Sequence, residues 1–113
     1  MARLAGKVAV ITGAAQGMGA THARLFIEEG AKVVLTDLNE EKGQALAKSL
    51  GENALFIKQN VTSEEDWKAV VEATEKHFGA IHVLINNAGI TLAKSILDTA
   101  LDDYRRIVEI NQV

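Results

Sequence analysis

The segment Thr12-Gly13-Ala14-Ala15-Gln16-Gly17-Met18-Gly19, placed directly behind the apolar run Val8-Ala9-Val10-Ile11, constrains this chain more than any other stretch. Three glycines within seven residues allow a sharp turn and a close approach of backbone to a ligand, because glycine has no Cβ. A helix opening at such a turn points unpaired N–H groups and the positive end of its dipole outward, where an anion is favoured. Glycines after a strand can also be no more than a tight connection. The surroundings separate the two readings: an amphipathic stretch follows the turn, a second apolar run occupies residues 32–36, and Asp37 ends it. That is the βαβ arrangement of a dinucleotide site.

The same alternation continues along the chain. Short apolar, β-branched runs at residues 7–11, 32–36, 54–58 and 82–85 predict parallel strands covered on both faces. Between them lie stretches of helical period. Ala20, Ala23, Phe26 and Ile27 share one helix face, as do Leu46, Ser49 and Leu50, and then Trp67, Val70, Val71, Thr74 and Phe78. Gly30, Gly51 and Gly79 fall where these helices would end, and Thr62 and Glu65 have capping-box spacing before the third. The expectation is an α/β fold, a doubly wound parallel Rossmann sheet with strand order 3-2-1-4. In that order the first and fourth strands flank the topological switch point, so the glycine turn and the loop after the fourth strand meet at one crevice. A fourth helix is expected over residues 99–112, with Leu101, Tyr104, Ile107, Val108 and Asn111 near one face. It would leave the fourth strand, with Val83, Leu84 and Ile85, as an unpaired edge.

Four motifs taken together resemble the short-chain dehydrogenase/reductase family: the G-x-x-x-G-x-G turn opened by Thr12, Asn86-Asn87-Ala88-Gly89 after the fourth strand, Asn60-Val61-Thr62 where most members have D-V-T, and Leu4-x-Gly6-Lys7 at the start. They fall in order, and the match runs from Leu4 to Asn111. The resemblance implies an oxidoreductase that transfers a hydride between NAD(H) and a secondary alcohol or ketone. The run 17–22 and the Asn-Ala-Gly-Ile-Thr segment ending at Thr91 look most like 3-oxoacyl carrier-protein reductases and bacterial hydroxysteroid dehydrogenases.

Within that resemblance Gly13, Gln16, Gly17, Met18 and Gly19 form the cofactor turn. Asp37 would accept both ribose hydroxyls of adenosine and repel a 2′-phosphate, whereas an NADP site wants a base nearby. Gln16 and Leu38 stand where NADP-dependent relatives place one, which favours NAD. Asp37 could otherwise open a loop or cap the next helix. Asn60, followed by Val61, replaces the family's Asp; it either accepts from the adenine amino group or is a turn residue. Asn87, Ala88 and Gly89 resemble the segment that lines the nicotinamide ribose, and an Asn there can equally join adjacent strands. Asn111 corresponds to the Asn of the family's Asn-Ser-Tyr-Lys catalytic tetrad. The other members have no counterpart: Val108, not Lys, stands four residues after Tyr104, the only tyrosine, and no serine follows Ser95. The chain therefore reads as one cofactor-binding domain, residues 1–113, cut before the catalytic Ser and Tyr-x-x-x-Lys. A non-catalytic NAD-binding module, assembling through the open fourth strand, is the alternative.

Composition narrows the partners. A net charge of −3 without a basic run offers no footprint for nucleic acid or an anionic membrane, and 4% aromatic residues are too few for a base-stacking surface. No stretch approaches the ~20 apolar residues of a membrane span, and no signal peptide precedes the first strand. Zero cysteines suit a reducing cytoplasm and exclude thiolate metal sites. His22, His77 and His82 lie on different elements, so no metal is expected. The expected partners are a small alcohol or ketone and, by resemblance, other copies of the chain in a homo-oligomer, commonly a tetramer.

Overall fold

The structure, a computed structural model, describes residues 5–60, 62–86 and 108–111. Five parallel strands, β1 (Val8–Thr12), β2 (Lys32–Asp37), β3 (Ala54–Lys58), β4 (Val83–Asn86) and β5 (Val108–Asn111), form one sheet in the order 3-2-1-4-5. The helices α1 (Gly17–Glu28), α2 (Glu40–Leu50) and α3 (Glu64–Phe78) follow β1, β2 and β3. The doubly wound order expected from the sequence is present and continues by one strand.

Alternation along the strands divides the core between the two faces of the sheet. Ile11, Val33, Leu35 and Phe56 pack with Ala20 and Ala23 of α1 and with Leu46 and Ala47 of α2. Val10, Val34 and Leu84 pack with Trp67, Val70 and Val71 of α3. Every residue of β1 is buried, as a central strand covered on both sides requires. In α2 the buried row is Gly43, Leu46 and Ala47, not the expected face through Ser49. Ser49 is exposed, and its hydroxyl donates to the Leu46 carbonyl at 2.7 Å. Gly43 belongs to the buried row because a Cβ there would lie 2.0 Å from the Phe56 ring.

Residues 108–111 are strand, not the end of a fourth helix. Val108 pairs with Val83, Leu84 with Glu109, Ile85 with Ile110 and Asn86 with Asn111. The sequence Val-Glu-Ile-Asn alternates β-branched with polar residues, and the edge of β4 offers a row of backbone donors and acceptors that a strand satisfies and a helix does not. β4 is therefore not an unpaired edge, and assembly through an open fourth strand loses its basis. The rest of the expected helix, including Leu101, Tyr104 and Ile107, lies outside the described residues.

His82 fastens the start of this ladder. Its backbone N–H donates to the Val8 carbonyl at 2.9 Å, and its Nδ1 accepts from the Val8 N–H at 2.9 Å. Among the described residues no helix is long and apolar enough to cross a membrane.

Gln59, just beyond β3, is 1% exposed, and among the described residues neither of its amide atoms has a hydrogen-bond partner. A buried polar group without a partner costs about 1–3 kcal/mol. Gln59→Met keeps the volume and removes the amide, so the unfolding free energy should rise by about 1–3 kcal/mol. The check is a higher urea midpoint at unchanged m-value; a lower midpoint would contradict it.

Candidate functional site

The carboxyl ends of β1 and β4 lie side by side, with Ile11 paired to Ile85 and the Thr12 hydroxyl donating to the Ile85 carbonyl at 3.4 Å. At this switch point β1 runs into the glycine turn. Gly13 and Gly17 have φ of 61° and 64°, in the left-handed region that other residues enter only at a cost. Gly19 serves differently: a Cβ there would stand 2.3 Å from the Gly13 carbonyl oxygen, so its absence lets α1 seat against the turn.

The start of α1 is chemically distinct. No side chain hydrogen bond caps it at Gln16, and its first turn carries no acid. In α2 the Asn39 side chain accepts from the Lys42 N–H, with Glu40 and Glu41 in the first turn. In α3 the Ser63 side chain accepts from the Asp66 N–H, with Glu64, Glu65 and Asp66 behind it. The cap of α3 is thus Ser63, one residue after the Thr62 expected from spacing, because its hydroxyl is the one placed to reach the N3 amide. Two helices neutralise their own positive ends with a side-chain cap and first-turn acids; α1 has neither.

Two contacts stitch the turn to the end of β2 and a third ties it to α2. The Ala14 N–H donates to the Thr36 carbonyl at 3.0 Å, the Ala15 N–H to Asp37 Oδ2 at 3.0 Å, and Lys42 Nζ to Gln16 Oε1 at 2.8 Å. The other carboxylate oxygen of Asp37 accepts from the Asn39 N–H at 3.0 Å. Asp37 therefore holds the turn while each of its oxygens keeps a lone pair for a further donor. Met18 in the first turn of α1 and Leu38 after Asp37 are large apolar side chains left 58% and 62% exposed.

Asn60 is built into a turn. Its Oδ1 accepts from the Thr62 N–H at 2.9 Å and the Thr62 hydroxyl at 2.6 Å, and its own N–H donates to Asp66 Oδ2 at 2.8 Å. A ligand amino group would have to share that oxygen with Thr62. Asn111 closes β5 opposite Asn86, at the same carboxyl edge of the sheet as the glycine turn. Val61, Asn87, Ala88 and Gly89 lie outside the described residues. Sequence reasoning overlooked Lys42: a lysine 26 positions from Gln16 gives no local signal of their contact.

A family model described as short chain dehydrogenase matches residues 7–113. The chain is 45% identical over 109 residues to a 3-beta-hydroxysteroid dehydrogenase of Comamonas testosteroni, covering 96% of this chain and 43% of that protein. It is likewise 45% identical over 109 residues to a 3-alpha-(or 20-beta)-hydroxysteroid dehydrogenase of Mycobacterium tuberculosis strain H37Rv, covering 96% and 42%. The chain thus spans less than half the length of these curated relatives. Among solved structures it superposes on a 3-ketoacyl-(acyl-carrier-protein) reductase of Brucella melitensis complexed with NADH, with a TM-score of 0.89 and 29% identity, covering 96% of this chain and 57% of that one.

Proposed function

The chain belongs to the short chain dehydrogenase family, and on that premise we propose that it is the cofactor-binding part of an NAD(H)-dependent oxidoreductase acting on a secondary alcohol or ketone, of the 3-oxoacyl or steroid type. The glycine turn fits a diphosphate: a Cβ at Gly19 would displace the turn, and the α1 terminus has no internal counter-charge. Gly13, Gln16, Gly17, Met18 and Gly19 would hold the diphosphate, Asp37 and Leu38 the adenosine ribose and ring, and Asn60 and Val61 the adenine edge. Asn87, Ala88 and Gly89 would line the nicotinamide ribose. A bound nicotinamide supplies the hydride acceptor or donor that no side chain provides. Asn111, at the carboxyl edge, would hold a water in the proton relay, with the Ser and Tyr-x-x-x-Lys of the parent enzyme outside these 113 residues. A cytoplasmic homo-oligomer completes the reading.

The observation that carries NAD over NADP is the Asp37 carboxylate at the end of β2, bound to the Ala15 amide of the turn and to the Asn39 amide. Two ribose hydroxyls can donate to it, and a 2′-phosphate would meet its charge. Asp37→Ala combined with Leu38→Arg should move the NADH-to-NADPH affinity ratio toward NADPH by about tenfold or more, roughly 1.4 kcal/mol. The measurement is a parallel fluorescence titration of both nucleotides; an unchanged ratio sinks the assignment.

A further inference from the structure

Gln16 and Leu38 carry no charge, yet the fold places a cation at the turn from a third position. Lys42, in the first turn of α2, extends across to Gln16 and donates to its Oε1 at 2.8 Å. Gln16 directly follows Ala15, whose N–H is on the Asp37 carboxylate at 3.0 Å. The ammonium and the carboxylate thus stand at neighbouring residues of the same turn. Lys42 forms no ion pair among the described residues, where the one salt bridge joins Lys68 to Glu64. An ammonium has three donors, and with one given to Gln16 two remain for an incoming anion.

Resting on the dinucleotide reading above, we infer that Lys42 is a specificity-determining residue which meets a phosphate on the adenosine 2′-oxygen and offsets the repulsion by Asp37. The chain therefore accepts NADP(H) as a second, weaker cofactor. Gln16 is the group that aims Lys42: its carbonyl oxygen restrains a flexible four-carbon stem that would otherwise spread its charge over solvent. A 2′-hydroxyl carries no charge, so binding of NAD(H) is nearly indifferent to Lys42.

The test is a fluorescence titration of NADH and NADPH against the native protein, Lys42→Gln and Lys42→Arg, at low and high salt. Native protein should bind NADPH within about 100-fold of NADH. Lys42→Gln should weaken NADPH by about three- to tenfold, the scale of one exposed ion pair made to a dianion, and change NADH less than twofold. Lys42→Arg should retain NADPH binding, and the loss in Lys42→Gln should shrink at high salt. Equal weakening of both nucleotides would make Lys42 a structural tie and overturn the inference. So would undetectable NADPH binding to native protein that binds NADH, or an unaltered ratio in Lys42→Gln. Native protein that binds neither nucleotide would overturn the dinucleotide reading and this inference with it.

Discussion

Gly19→Ala is expected to cost NADH affinity about ten- to hundredfold, or roughly 1.4–2.7 kcal/mol. The added methyl carbon would sit 2.3 Å from the Gly13 carbonyl oxygen and 2.9 Å from the Ala14 Cα, both backbone atoms that no rotamer change can move. Overpacking costs about 1–3 kcal/mol, and against backbone the relief has to come from the chain path itself. The only way out is to lift the first turn of α1 away from residues 13 and 14, which separates the amides that would share a diphosphate. Gly17→Ala makes the contrast. A Cβ there meets nothing within 4 Å, so the substitution costs the left-handed strain, about 1–2 kcal/mol, without a collision. Titration of NADH into both variants, with unfolding curves beside it, checks the pair. Native affinity in Gly19→Ala would mean that the turn does not cradle the nucleotide.

How far the sequence foretold this arrangement depends on the range of the interactions. The glycine turn, the first four strands and the three helices were legible because their signals are local: β-branched runs, a 3.6-residue period and glycine punctuation. The switch point was legible because strand order follows from the connection rules once the elements are placed. Residues 108–111 were misread because Val108 and Asn111 also satisfy a helical spacing; what decides is the partner edge of β4, 25 residues earlier in register. Ser49 was misplaced for a similar reason, since the ring of Phe56 selects Gly43 for the buried row and no local pattern reveals that ring. At the site, the residue types at Asp37 and Gly19 announced themselves. The anchoring of Asp37 to Ala15 and the reach of Lys42 to Gln16 span 22 and 26 positions and are properties of the folded crevice.

Stability and nucleotide binding should come apart at Trp67. Its side chain is 0% exposed on α3, within the cluster of Val10, Val34, Val70, Val71, Ile81 and Leu84 that covers one face of the sheet. Trp67→Ala removes the largest side chain of that cluster and leaves a cavity that β-branched neighbours, stiff at χ1, fill poorly. The expected loss is about 3–5 kcal/mol, a large part of the ~5–15 kcal/mol that holds a domain folded. Circular dichroism in urea should show a midpoint displaced far downward, with Trp67→Phe recovering more than half of the loss; a change below about 1 kcal/mol would mean that α3 does not seal this face. The glycine turn packs on the other face, where Ala14 and Ala20 share a cluster with Ile11 and Leu35. Well below the melting transition, Trp67→Ala should therefore bind NADH within about twofold of native protein, because the sheet transmits little between faces while β1 stays paired on both sides. Gly19→Ala should do the reverse, losing most of its affinity at temperatures where it remains folded, and the opposite order of effects in the two variants is what a site confined to the carboxyl edge and the α1 face requires.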